Sequence, residues 1–210
     1  DIFDISHRAK TKGFYVGLSS NGTLITSDNI DAIAAVDYNY VGVSLDGIGA
    51  THDSFRRRDG AFAEALAGLR LCRDRNLKTG MRFTMTMDNA AEFPKLLELM
   101  DEEGIDKFYL SHLVYAGRGN KNRGDDARRD FTRDMMDVLF DRAWTAVTKG
   151  ENKEYVTGNN DADGVYLLNW VRARFPGKVE HIRGKLAEWG GNSSGVNIAN
   201  IDNLGNVHPD

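Results

Sequence analysis

Residues 43–60, VSLDGIGATHDSFRRRDG, bring together a hydroxyl at Ser44, a carboxylate at Asp46, an imidazole at His52 and guanidiniums at Arg56, Arg57 and Arg58. These types suit a small polar ligand. A serine hydroxyl and an aspartate carboxylate form hydrogen bonds with polar groups, and a guanidinium fork fits a carboxylate in two places. Arg82, inside MRFTMTMDN at 81–89, offers the same fork or an internal ion pair. Arg57 and Arg58 read as a solvated basic loop. Similar polar clusters recur along the chain: Ser19, Ser20 and Asn21; Thr86 and Asn89; Ser111 and His112. Ser, Asn, Asp and Gly are also turn formers, so each cluster taken singly reads equally as a turn. A metal-dependent hydrolase or lyase would draw on His52, Asp53, His112 and His208. Adjacent His52 and Asp53 diverge on an extended segment, however, and no HxH or HxxxH spacing occurs.

The elements that would position these groups alternate regularly. Residues 1–12 have helical spacing closed by Gly13, followed by a strand at 14–18. Ser27 is placed to cap a short helix through Asp37, ahead of a second strand at 40–45. A helix over 61–76, a strand over 81–86, a helix over 92–104 and a strand over 107–115 follow. FTRDMMDVLFDRAWTAV at 131–147 predicts a helix burying Met135, Val138, Leu139, Ala143 and Val147, and Asp163 is placed to cap a helix beginning near Gly164. Strands alternating with helices imply an α/β fold with parallel strands and right-handed crossovers. In such sheets ligands sit at the carboxyl ends of the strands, which is where the polar clusters fall.

Composition sets the outer limits. The chain has 210 residues, 41% hydrophobic and 28% charged, enough to bury a core. A net charge of −4 supplies no general attraction for nucleic acid or an anionic membrane, and no apolar run approaches a membrane span, so a cytoplasmic protein is expected. The one cysteine, Cys72, excludes an internal disulfide and reads as an inert buried thiol. Both ends read as cut: a helix with no preceding strand opens the chain, and an interrupted hairpin closes it.

SSNGTL at 19–24, VSLDG at 43–47, THDSFR at 51–56 and MRFTMTMDN at 81–89 resemble, in order and spacing, the strand ends of radical S-adenosylmethionine enzymes with a cysteine-rich, SPASM-type C-terminal extension. SHLVYAGRGN at 111–120, TGNNDADGVYLLNW at 157–170 and the stretch from 188 to 210 resemble the branch of that family that works in heme d1 biosynthesis. The resemblance implies a partial (β/α) barrel over 1–150, a helical substrate-side region over 151–195 and the start of a truncated hairpin over 196–210. It implies S-adenosylmethionine as cofactor, with Ser20, Asn21, Ser44, Asp46, Arg56 and Arg82 around it and Arg56 preferred for the methionine carboxylate. It also implies a [4Fe–4S] cluster on a CxxxCxxC loop and an auxiliary iron–sulfur cluster, both with ligands outside these residues. The implied substrate is a didecarboxysiroheme-type tetrapyrrole that loses propionate side chains with electrons from a reducing donor. His112, Tyr115, Arg118, Asn159, Asn160 and His208 would form its polar rim. The isolated piece is expected to be inactive.

Overall fold

The computed structural model describes residues 1–115, 119–121, 123–193, 196 and 198–209. The chain divides into two compact units, Asp1–Asn159 and Asn160–Asp210.

The first unit is built on five parallel strands, β1 (Gly17–Ser20), β2 (Tyr40–Ser44), β3 (Thr79–Thr84), β4 (Lys107–Ser111) and β5 (Glu154–Gly158), hydrogen-bonded in the order β1-β2-β3-β4-β5. Each strand pairs with the next, so every right-handed crossover steps the same way. The helices therefore collect on one face and the sheet forms an arc of a barrel. That face carries the core. Val41 and Val43 of β2, Met81 and Phe83 of β3, and Phe108 and Leu110 of β4 are fully buried, and each such side chain contributes about 2 kcal/mol. Phe83, Phe93 and Phe108 form a ring cluster with centroids 5.4–6.3 Å apart. By the two-residue alternation of a strand, the other face presents Ser19, Ser44, Arg82, Thr84, Tyr109 and Ser111.

Around this sheet run α1 (Ile2–Thr11), α2 (Ile30–Ala35), α3 (Ala50–Arg56), α4 (Ala61–Asp74), α5 (Phe93–Glu102) and α6 (Arg129–Lys149). Several local expectations are corrected. The first strand starts at Gly17, leaving Phe14 and Tyr15 exposed, because the Val16 N–H is claimed by the Asn39 side chain at 2.9 Å. The cap of α2 is Asn29, not Ser27; its amide closes the preceding turn by accepting from Thr26 N–H and donating to the Leu24 carbonyl. THDSFR is helical, forming most of α3. In α6 the buried residues are Met136, Leu139, Phe140 and Ala146, and Val147 is 70% exposed, so the apolar face is turned from the expected one. β5 is a fifth strand where the sequence pattern shows four.

The second unit contains α7 (Ala162–Arg174), α8 (Val179–Trp189) and an antiparallel hairpin of β6 (Ala199–Ile201) and β7 (Val207–Pro209). Asp163 does not cap α7. It is buried in the first turn, and the Ala162 N–H is satisfied by the Asn160 side chain at 3.1 Å. Asp202 ties the hairpin turn by accepting from Leu204 N–H and Asn206 N–H, each at 2.8 Å. Among the described residues no helix is long and apolar enough to cross a membrane.

Candidate functional site

A cleft of about 890 Å³ opens at the carboxyl edge of the parallel sheet. Asn21 after β1, Arg56 and Arg57 at the end of α3, and Thr84, Thr86 and Asn89 at the end of β3 all line it. These groups meet because parallel strands deliver their loops to one edge.

The wall of the cleft is held by a buried polar node centred on Asp46, which is inaccessible to solvent. One carboxylate oxygen of Asp46 accepts from Thr84 N–H at 2.8 Å, tying the loop after β2 to β3. The other forms an ion pair with the Arg56 guanidinium. The Asp46 N–H donates to His52 Nδ1 at 2.9 Å, and the Asp46 carbonyl accepts from the Asn89 amide at 3.1 Å. Asn89 also donates to the Thr84 carbonyl and accepts from Thr86 N–H. The two strand ends and α3 thus form one cross-linked unit. Burial pushes the Asp46 carboxyl above its ordinary range, while Arg56 and the Thr84 N–H pull it back. Burial, helped by the Arg56 charge, lowers His52 to about 4, so the imidazole is neutral with Nδ1 free of a proton. Glycine is required at Gly47, where φ is +150° and a Cβ would meet Thr51 at 2.7 Å.

The residues singled out in the sequence separate into groups. Arg56 and Asn21 line the cleft. Ser20 and Asn21 also shape their own turn, accepting from Gly22 N–H at 3.0 Å and Thr23 N–H at 3.2 Å. Ser44 and Arg82 are register partners on the sheet face opposite the core. Arg82 donates to Ser19 Oγ at 2.8 Å and its guanidinium stacks 4.7 Å above the Tyr109 ring. At the end of β4, the His112 N–H donates to the Gly158 carbonyl at 3.2 Å, and Asn159 donates to Ser111 Oγ at 2.6 Å. The Tyr115 hydroxyl donates to Asp126, which raises its pKa, and the Arg123 guanidinium lies 4.9 Å over its ring. Arg118 lies outside the described residues. Asn160 and His208 belong to the second unit, where His208 bonds Asp202 at 3.2 Å.

Thr84 and His52 acquire functions that the sequence did not disclose, as a strand-end N–H for Asp46 and as the acceptor that pins its backbone. The signal for Thr84 was its even spacing from Arg82. His52 had none. The metal-ligand reading of the same residues fails on these bonds. His52 is spent on Asp46, the Asp53 carboxylate caps α4 by accepting from Gly60 and Phe62 N–H, each at 2.8 Å, and no cluster of three His, Cys, Asp or Glu side chains suited to a metal occurs among the described residues.

Residues 1–100 match the model of the radical SAM superfamily. Over its full length the chain is 54% identical to the pre-heme d1 synthase of Dinoroseobacter shibae, of which it spans 52%. In its first 100 residues the chain is thus similar to the radical SAM superfamily. It is also 37% identical, again over its full length, to the Fe-coproporphyrin III synthase of Methanosarcina barkeri, spanning 53% of that protein. The chain therefore spans about half the length of the curated relatives it matches. SuiB of Streptococcus suis, solved bound to S-adenosylmethionine, superimposes with a TM-score of 0.60 at 13% identity, covering 79% of this chain and 38% of that one. That likeness is one of fold, and it agrees with the partial barrel described above.

This family uses S-adenosylmethionine and a [4Fe–4S] cluster, and the residues present fit the two differently. The cleft volume lies in the range of small-molecule sites. In its wall the Arg56 side chain is 31% exposed beside its ion pair with Asp46, which leaves part of a charged guanidinium open to a ligand carboxylate. The cofactor fits. The cluster does not fit residues 1–210, because Cys72 is the one cysteine, it is buried in α4, and burial pushes its thiol up to about 11.

Proposed function

We propose that this chain is the cofactor-binding half of a radical SAM enzyme of heme d1 biosynthesis, which removes propionate side chains from a didecarboxysiroheme-type tetrapyrrole. The observation that carries the reading is 54% identity to a pre-heme d1 synthase across all of the chain. When bound, S-adenosylmethionine supplies a 5′-deoxyadenosyl radical, the abstracting agent of this family. The reducing cluster and an auxiliary iron–sulfur cluster are assigned to cysteines outside residues 1–210, and the electron donor and a cytoplasmic setting belong to the same proposal.

The chain's own residues bind and orient. Arg56, restrained by Asp46 on one side, offers the exposed part of its guanidinium to the methionine carboxylate. Asn21 and Ser20 shape the neighbouring rim, while Ser44 and Arg82 present a hydroxyl and a guanidinium from the strand face opposite the core. His112, Tyr115, Arg118, Asn159, Asn160 and His208 are assigned to the tetrapyrrole. The barrel core is taken as 1–150, the substrate-side helices as 151–195, and the hairpin from 196 as the start of a SPASM-type extension.

The test uses the full-length protein, reconstituted anaerobically with iron and sulfide and given reductant, S-adenosylmethionine and didecarboxysiroheme. Loss of propionate mass from the tetrapyrrole, with matching 5′-deoxyadenosine, is expected. Cofactor cleavage with an unchanged tetrapyrrole would overturn the substrate assignment.

A further inference from the structure

Three consecutive arginines at the end of α3 have three different environments. Arg56 is paired with Asp46. Arg58 is paired with Glu64 at 2.6 Å. Arg57, between them, is exposed, lines the cleft, and has no ion pair or side-chain hydrogen bond among the described residues.

The backbone beneath Arg57 is firmly built. Its φ of 55° and ψ of 41° are left-handed, at a helix terminus where glycine is the unstrained choice. The turn is held by the Arg57 N–H on the Ser54 carbonyl at 3.1 Å and the Arg58 N–H on the Asp53 carbonyl at 2.9 Å. The Asp53 carboxylate locks the far side through Gly60 and Phe62. A charged side chain thus occupies a position that its own backbone disfavours, at the mouth of a cleft and without a protein partner. Asp88 and Asp125 line the same cleft as exposed carboxylates, and neither pairs with Arg57. An anionic ligand is repelled by those residues and attracted to the arginine.

We infer that Arg57 is a substrate-binding residue whose guanidinium holds a carboxylate arm of the anionic tetrapyrrole at the cleft mouth; this rests on the tetrapyrrole reading above. Arg56 faces the cofactor in that reading, and Arg57 faces the substrate. A planar fork makes the site selective for a carboxylate over its ester, because the ester has neither the charge nor a second equivalent oxygen.

The test is a Soret-band titration of the reconstituted full-length protein with a polypropionate iron porphyrin and with its methyl ester, in the wild type, R57G and R57K. The wild type is expected to prefer the free acid. R57G should bind the acid about tenfold more weakly, the worth of one charge-assisted contact, and bind the ester unchanged. Its unfolding temperature should hold or rise, since glycine relieves the left-handed position. R57K, which keeps the charge but lacks the fork, should retain only part of the preference. Calorimetric affinity for S-adenosylmethionine should be the same in all three. Two results would overturn the inference: R57G binding the acid as tightly as the wild type, or R57G losing acid, ester and cofactor affinity together, which would indicate collapse of the turn. A wild type that binds neither porphyrin would overturn the tetrapyrrole reading and this inference with it.

Discussion

Lowering the pH should destabilise the protein through His52. The side chain is 1% exposed, and its Nδ1 accepts the Asp46 N–H at 2.9 Å, so a proton there would set a donor against a donor. Its folded pKa of about 4 lies below the ordinary 6.5. Between those values the unfolded chain binds a proton that the native chain refuses. Stability therefore falls as pH drops through this window, levels off once the native state is also protonated, and is unaffected by His52 above it. The gap of about 2.5 between 6.5 and the folded value corresponds to roughly 3 kcal/mol. The assay is urea unfolding of the wild type and H52N from about pH 7.5 down to about pH 4.5. The asparagine Oδ1 can take the place of Nδ1 but does not titrate, so the two curves should run together near neutrality and separate below about pH 6.5. H52L, which strands the Asp46 N–H and does not titrate, should lie about 1–3 kcal/mol below H52N at every pH. Parallel pH profiles for the wild type and H52N, or an NMR titration placing His52 near its ordinary value, would refute the argument.

Two further expectations rest on other buried groups. The Tyr40 hydroxyl is buried with no partner among the described residues, and burial raises its pKa to about 12, so Y40F should hold or gain up to about 1 kcal/mol in thermal unfolding. A clear loss would show that the hydroxyl has a bridging water. Cys72 is fully buried with its thiol pushed up to about 11, so native protein should resist iodoacetamide at neutral pH and label only when unfolded; rapid native labelling would place the thiol at the surface.

Much of the framework was legible because it depends on local pattern. The α/β alternation, the parallel strands and the gathering of polar residues at strand ends follow from apolar runs at strand and helix period, and Arg56, which follows the second strand closely in sequence, lines the resulting cleft. Where longer-range partners decide, the pattern misled. THDSFR lies in a helix of only seven residues, Ala50–Arg56, between glycine-rich turns, too short to display an apolar stripe and dependent on Gly49 and the cap at Arg57. EYVTG became β5 because β4 offered an unpaired edge, with Lys107 opposite Glu154 and Ser111 opposite Gly158. Asn39 and Asn29 displaced the expected start of β1 and cap of α2 with side-chain amides that bond backbone groups beyond the elements concerned.

By itself, then, the sequence determined the fold class, the edge where the polar groups gather and the residue types available there, since all three follow from periodicity and side-chain chemistry along the chain. The tertiary structure alone decided what each polar group does. Asp46 could have been a ligand contact or a turn former, and it became the centre of a node because Thr84, 38 residues away, and Arg56 and His52, on the following helix, all reach it. A buried carboxylate needs several donors at once, and only the folded sheet brings donors from separate parts of the chain to one point.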